Sequence, residues 1–264
     1  MSTAAGTTAD APIRVERNAA DGYAVITIDA PATHNALSKQ MRADIAKATG
    51  SLARDDAIRV LILTAEGPLF TAGLDLDEWT ADEVAAGAFE LDPVRALRAY
   101  PGPVIGAING PAITGGFEIS VACDVLIAAE RASFTDTHAR VGLLPGWGLS
   151  ARLPRLIGLQ RAKLLAFGAQ PIYARTALAW GLVAEVVPND ALMPRARALA
   201  TQMASADPDT LRAYKRLLDD TSQATLGDAL AIERSRAYEH NARVGRDDVL
   251  AALQRIRESR RRPS

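Results

Sequence analysis

The chain has 264 residues, 48% hydrophobic and 23% charged, with a formal net charge of -1. This length and composition are typical of a globular protein with one large domain, or a domain with an appendage. The near-neutral charge gives no field that would attract nucleic acid or an anionic membrane. The single cysteine excludes an intrachain disulfide framework and a multi-cysteine metal site, and the three histidines are too scattered to suggest a His-rich metal centre. We therefore expect neither a metal nor another cofactor.

The N-terminal segment and the hydropathy pattern predict a cytoplasmic protein. Residues 1–11 are small and polar, which is typical of a disordered tail, and they lack the charged start and apolar core of a signal peptide. No uncharged apolar run is long enough to cross a bilayer. We expect neither a membrane nor a nucleic acid as a partner.

Strand and helix patterns alternate through the first two thirds of the chain, and helical patterns follow. Alternation predicts an α/β fold with right-handed crossovers. We therefore expect an α/β core over residues 12–190 and a helical region over residues 191–264. The main predicted strands are Ile13–Arg17, Tyr23–Ile28, Ile58–Leu63, Val104–Ile108, Val125–Ala129 and Val183–Val187. The main predicted helices are Ala81–Tyr100, a segment ending near Ala122, Ser150–Ile157, Gln160–Phe167, Leu192–Ala204, Pro208–Leu218, Leu226–His240 and Asp247–Glu258.

The most informative stretch, Gly110–Ser120, follows a buried strand and opens a helix. Gly115 and Gly116 fall in the first helical turn, where backbone N–H groups have no intrahelical partner and attract negative charge. Glu118 lies three residues after Gly115, on the same helix face. A free N–H beside a carboxylate suits acid–base chemistry next to a carbonyl. Taken alone, such a stretch is more often a tight turn followed by a solvated glutamate.

A second glycine-containing loop, Gly67–Leu76, also follows a buried strand, and Asp75 is a candidate N-cap for the helix predicted after it. Two such loops could offer two N–H groups to a single oxygen. When this loop is taken together with the Gly110–Ser120 stretch, the chain resembles the crotonase (enoyl-CoA hydratase/isomerase) superfamily from about Ile13 to at least Val187. The resemblance depends on the order and spacing of Asn35-Ala36-Leu37, Phe70–Leu76, Asn109–Glu118, Cys123-Asp124, Phe134, Gly142–Gly148, Gly181-Leu182-Val183 and Val186-Val187.

The resemblance implies a spiral of ββα turns with a C-terminal helical region that forms trimers, often paired into hexamers. It also implies an acyl-CoA substrate, with coenzyme A entering only as part of that substrate. The thioester oxygen would lie between two backbone N–H groups, at positions that match Ala72 and Gly115. By the same resemblance, Ala72, Gly73, Leu74 and Asp75 would line the coenzyme A entry. We interpret Trp147 as a wall of the acyl pocket or as ordinary core.

The acid–base residues depart from the family pattern. Family hydratases place two glutamates around one water; the first matches Glu118, but the second position is occupied by His138. Beside an ionised Glu118 the imidazolium form of His138 is favoured, which gives a carboxylate–imidazolium pair. The alternative for His138 is a structural hydrogen bond to Asp136 or to a backbone carbonyl. Asp136 could orient the imidazole, but we interpret it as a solvated loop residue.

These residues predict an enoyl-CoA hydratase-like enzyme that adds water across the 2,3 double bond of a 2-enoyl-CoA. Glu118 would activate the water, and His138 would assist proton transfer. The alternatives keep the same oxyanion site. They are double-bond isomerisation by Glu118 alone, hydrolysis or decarboxylation of another acyl-CoA, and a CoA-thioester-binding pseudoenzyme.

Overall fold

The computed structural model describes residues 11–78 and 92–259, and the chain divides into two compact units, Met1–Ala206 and Asp207–Ser264. The described part of the first unit is built from two sheets and eight α-helices. All but the last residue of the tail predicted at residues 1–11, and most of the helix predicted at 81–100, lie outside the described residues. The mixed α/β class predicted for the core is confirmed.

The larger sheet has six strands in the order β1-β2-β3-β4-β6-β9. The first two strands pair as an antiparallel hairpin, and all other neighbours are parallel. Strands β2, β3 and β4 are almost wholly buried, because their β-branched and aliphatic runs are covered on both faces. The strands are β1 (Ile13–Asn18), β2 (Tyr23–Ile28), β3 (Val60–Ala65), β4 (Val104–Ile108), β6 (Val125–Ala129) and β9 (Glu185–Val187).

A smaller sheet positions the segments that matter for function. It contains β5 (Ala112–Ile113), β7 (Ser133–Thr135) and β8 (Ile172–Tyr173), in the order β5-β7-β8. The chain thus twice runs from a strand of the large sheet, through a strand of the small one, into a short helix. Because β5 and β7 are parallel neighbours, the residues that follow them emerge at the same edge.

The described part of the first unit contains eight α-helices, and the last of them lies beyond residue 190, where the sequence places the start of the helical region. Helix α8 packs against β2, β3, β4 and β6, and Ala196, Ala200 and Ala204 on that face are buried. The second unit therefore begins at Asp207. The eight helices are α1 (Lys39–Leu52), α2 (Pro93–Ala99), α3 (Gly115–Ser120), α4 (His138–Val141), α5 (Leu149–Ile157), α6 (Leu159–Gly168), α7 (Ala174–Trp180) and α8 (Leu192–Ala204).

The described part of the second unit is helical. Asp207 and Thr225 cap its first two helices, each side chain accepting a hydrogen bond from a backbone N–H of the first turn. None of the helices in the described part of the chain is long and apolar enough to cross a membrane. The helices of this unit are α9 (Pro208–Thr221), α10 (Leu226–Asn241) and α11 (Arg246–Ser259).

Candidate active site

The two glycine-containing loops meet, and each contributes one free backbone N–H. A methyl group on Gly73 would lie 3.1 Å from the nitrogen of Gly115, and a methyl group on Gly115 would lie 3.2 Å from the nitrogen of Leu74. Gly73 has a φ of +96°, a conformation that suits glycine. Among the described residues, neither Leu74 N–H nor Gly115 N–H has a hydrogen-bond partner. Two adjacent free donors can hold one oxygen that carries negative charge.

The structure contradicts the assignment of Ala72 as an oxyanion donor. Its N–H donates to the carbonyl oxygen of His34 at 3.1 Å, so it is already used within the fold. The free donor of this loop is Leu74, two residues later. The sequence marks this loop as a source of a donor but does not show which of its N–H groups the fold uses elsewhere, because that depends on the contact with His34.

Glu118 lies in the buried helix α3 and is 2% exposed. Its Oε1 accepts hydrogen bonds from the backbone N–H of Trp147 at 2.8 Å and of Leu149 at 3.3 Å. Leu149 is the first residue of α5, so the carboxylate satisfies a donor that the helix cannot satisfy itself. These contacts stabilise a buried carboxylate that would otherwise be costly.

His138 lies between two carboxylates. Its Nε2 is 3.4 Å from Glu118 Oε2, and its Nδ1 is 2.7 Å from Asp136 Oδ1. Burial favours a lower pKa for the imidazole, but the hydrogen bonds and charges of Asp136 and Glu118 outweigh it and raise the pKa to about 9. His138 is therefore an imidazolium at neutral pH, with both ring nitrogens available as donors. The predicted carboxylate–imidazolium pair is brought together.

Asp136 is not the solvated loop residue that the sequence suggested. It is 4% exposed, and its Oδ1 accepts hydrogen bonds from both the ring and the backbone N–H of His138. Because Asp136 follows β7 directly, the small sheet fixes its position. The spacing Asp-x-His was the available signal, since these two residues lie within reach of one short turn.

Two other predicted binding residues lie close to the oxyanion donors. Trp147 is 3% exposed, and its Cζ3 would contact a methyl group on Gly115 at 3.3 Å, so the ring walls the oxyanion side of the site. Asp75 directly follows Leu74, and its side chain accepts a hydrogen bond from Asp77 N–H at 3.1 Å. Through Glu78 the chain forms a turn there, so Asp75 caps no helix within the described residues.

A cavity of about 290 Å³ borders His138 and Asp136. Aliphatic and aromatic side chains from α5, α6 and the loop before α5 make up most of its wall, so it suits an apolar ligand. Among residues 11–78 and 92–259, the active site included, no group of three His, Cys, Asp or Glu side chains is arranged to hold a metal ion. The cavity is lined by Leu143, Leu149, Leu153, Ala162 and Phe167, among others.

A family model described as enoyl-CoA hydratase/isomerase matches residues 18–261. The chain belongs to this family. It is 39% identical over 220 residues to "Probable enoyl-CoA hydratase 1, peroxisomal" of Arabidopsis thaliana, covering 82% of each chain. It is 34% identical over 235 residues to the short-chain-enoyl-CoA hydratase of Clostridium acetobutylicum, covering 87% of this chain and 90% of that one.

The fold agrees with this assignment. The crystal structure of an enoyl-CoA hydratase from Bacillus anthracis matches 94% of this chain and 96% of its own, with a TM-score of 0.86 and 33% sequence identity. The predicted crotonase-type α/β fold and the predicted superfamily are therefore confirmed. The family contains enzymes that act on acyl-CoA thioesters, and the site described above carries the groups that such chemistry uses.

Proposed function

We propose that this protein is an enoyl-CoA hydratase that adds water across the 2,3 double bond of a 2-enoyl-CoA. The observation that carries the proposal is the buried pair of Glu118 and His138, next to two free N–H donors on Leu74 and Gly115. Names of relatives at 34–39% identity support the same reaction.

The proposed reaction begins with the thioester carbonyl oxygen between Leu74 N–H and Gly115 N–H. Glu118 takes a proton from a water molecule while the oxygen of that water bonds to C3. The electron pair of the double bond moves onto the thioester oxygen, where the two donors stabilise the resulting enolate. The imidazolium of His138 then gives the proton of Nε2 to C2, which completes the addition of water.

The geometry also accounts for how the site returns to its starting state. After one turnover Glu118 carries the proton and His138 is neutral. Their facing atoms, Oε2 and Nε2, are 3.4 Å apart, so the proton can pass directly back to the imidazole. Both groups would act from the same side of the double bond, which corresponds to syn addition. The chemistry proposed here requires no cofactor besides the coenzyme A of the substrate.

The apolar cavity beside His138 is proposed to hold the acyl chain beyond C3. Its wall includes Leu143, Leu149 and Leu153, and it borders the group that would protonate C2. An acyl chain leaving the reacting carbons toward His138 would enter this cavity. Residues Ala72 to Asp75 remain the proposed lining of the coenzyme A entry.

We propose that the protein assembles as a trimer or as a pair of trimers. We also propose that it is located in the cytoplasm. Helix α10 of the second unit exposes large apolar side chains, with Leu226 77%, Leu230 56% and Tyr238 82% exposed. Copies of the chain could cover these side chains in an assembly. The measurement is the molar mass in solution by light scattering for wild type and Leu230→Lys; a monomeric wild type would contradict the proposal.

The function is tested by the hydration of crotonyl-CoA, followed as the loss of enoyl absorbance. Wild type should turn over, and Glu118→Gln and His138→Gln should each lose about a hundredfold to ten-thousandfold in rate. Glu130→Gln, at an exposed carboxylate, and His240→Gln, in the second unit, serve as matched controls and should retain the wild-type rate.

Other outcomes separate the alternatives. Full activity of His138→Gln with loss in Glu118→Gln would indicate one shuttling base, as in double-bond isomerisation. A wild type that binds enoyl-CoA thioesters of several lengths but converts none would contradict the hydratase proposal.

A further inference from the structure

Thr114 occupies a backbone conformation that its side chain disfavours, at the residue before the Gly115 donor. Its φ is 51° and its ψ is -105°. A β-branched residue at positive φ is an outlier, whereas glycine adopts such a conformation without steric cost. A residue of this type persists there only if its surroundings hold it.

The contacts of Thr114 lead to the segment that carries His138. The N–H of Thr114 donates to the carbonyl oxygen of Thr135 at 2.8 Å. Its hydroxyl forms a hydrogen bond with the hydroxyl of Thr137 and accepts one from the N–H of Thr137 at 3.3 Å. Thr137 lies between Asp136 and His138. The pairing of β5 with β7 ends at Ile113 and Thr135, so these side chains continue the connection beyond the sheet.

We propose that Thr114 and Thr137 are positioning residues that hold the Gly115 oxyanion donor in register with the imidazole of His138. The role rests on the function proposed above. The two segments carry different parts of the reaction: the α3 segment supplies Gly115 N–H and Glu118, and the segment after β7 supplies the proton donor. Their relative position decides whether the proton reaches C2 while the oxyanion is held, and small displacements of such groups have large effects on rate.

The contact between His138 and Glu118 allows the positioning role to be tested without measuring catalysis. The contact of His138 with Asp136 lies within one segment, whereas its contact with Glu118 at 3.4 Å crosses between the two. Loosening the threonine pair should therefore weaken the Glu118 contact and leave the Asp136 contact in place. The pKa of the imidazole should then fall, since one of its two facing carboxylates is farther away.

The test compares Thr114→Gly and Thr137→Val with the conservative variants Thr114→Ser and Thr137→Ser. Thr114→Gly removes both the hydroxyl and the backbone strain, so it should keep or raise the melting temperature while kcat falls about tenfold with KM nearly unchanged. Thr137→Val removes the hydroxyl at constant shape and should cause a similar loss. The two serine variants should stay within about threefold of wild type. The double variant Thr114→Gly/Thr137→Val should lose little more than Thr114→Gly alone, because Thr114→Gly already removes the hydroxyl contact that Thr137→Val deletes.

Two kinetic results would overturn the proposal. One is a wild-type kcat in Thr114→Gly or Thr137→Val, and the other is a series of rate losses that track losses of melting temperature. Measuring the pKa of His138 by nuclear magnetic resonance separates failure of the positioning role from failure of the proposed function. Wild type that fails to hydrate enoyl-CoA contradicts the function, while an imidazole pKa that is unchanged in both Thr114→Gly and Thr137→Val contradicts the positioning role.

Discussion

The charge of His138 depends on Asp136, and Asp136→Asn tests this dependence with little change of shape. The asparagine can still accept the backbone N–H of His138, which lies 3.0 Å from Oδ1 in wild type. What it loses is the negative charge 2.7 Å from Nδ1. The protonated imidazole is then stabilised by Glu118 alone, across the longer distance of 3.4 Å.

The size of the effect follows from the raised pKa. The imidazole pKa rises from 6.5 to about 9 in the folded protein, which corresponds to about 3 kcal/mol in favour of the charged form, as an upper bound. Asp136 makes the shorter of the two contacts, so we assign it the larger share. Loss of one adjacent charge lowers a pKa of this kind by about 1 to 3 units. We expect the imidazole pKa of Asp136→Asn to lie near 7.

The assay is the pH dependence of kcat/KM for enoyl-CoA hydration between about pH 5 and about pH 10. The proton donor is active as imidazolium, so the rate should fall above its pKa: above about 9 in wild type, and near 7 in the variant. For a shift of two units, the variant should be about tenfold slower near pH 8 and close to wild type near pH 6. Asp190→Asn, at an exposed carboxylate, should keep the wild-type profile.

Two outcomes would refute this reasoning. If the alkaline limb of Asp136→Asn coincides with that of wild type, Asp136 does not set the charge of His138. If the wild-type limb lies near 6.5, the two carboxylates do not hold the imidazolium in the free enzyme.

Three further predictions follow from the same geometry. Folding raises the pKa of His138, so its ion pairs stabilise the fold fully below about pH 6.5, and this stabilisation is lost as the pH rises through about 9. The difference in unfolding free energy between wild type and His138→Gln should therefore shrink by up to about 3 kcal/mol between about pH 6 and about pH 10. A difference that stays constant over this range would contradict the prediction. Gly115→Ala places a methyl group 3.2 Å from Leu74 N, between the two donors, and should lower kcat about a hundredfold or more with the fold retained by circular dichroism. Gly116→Ala places a methyl group 2.6 Å from the backbone oxygen of Thr71, so it should lower the unfolding free energy by about 1 to 3 kcal/mol, and an unchanged melting temperature would be inconsistent with this packing.

Much of the fold was predictable because its signals are local. The run Val104–Ile108 has the composition of a buried strand and forms β4, and the helical spacing over Leu192–Ala204 marks the bounds of α8. Hydrophobic periodicity specifies which residues are covered within one element. It does not specify what covers them. For this reason the pattern over Leu192–Ala204 predicts a helix of the helical region, although the fold packs that helix against the large sheet.

Two of the strands of the small sheet escaped prediction for a related reason. Strands β5 and β8 have two residues each, too few to show any periodicity. They exist because each finds a partner in β7, which is distant in sequence. These short pairings place Glu118 and His138 at one edge of the small sheet.

The sequence by itself predicted that a carboxylate and an imidazole share one site, because Glu118 and His138 occupy the two positions at which the resembled family carries its glutamates, and the structure brings the two side chains within 3.4 Å. Only the tertiary structure decided how that site is completed. Ala72 N–H is used by His34, so Leu74 becomes the free donor, and the burial of Asp136 makes it the partner of His138. Each of these depends on which groups of distant segments meet and exclude water, and a linear pattern of residue types does not encode that geometry.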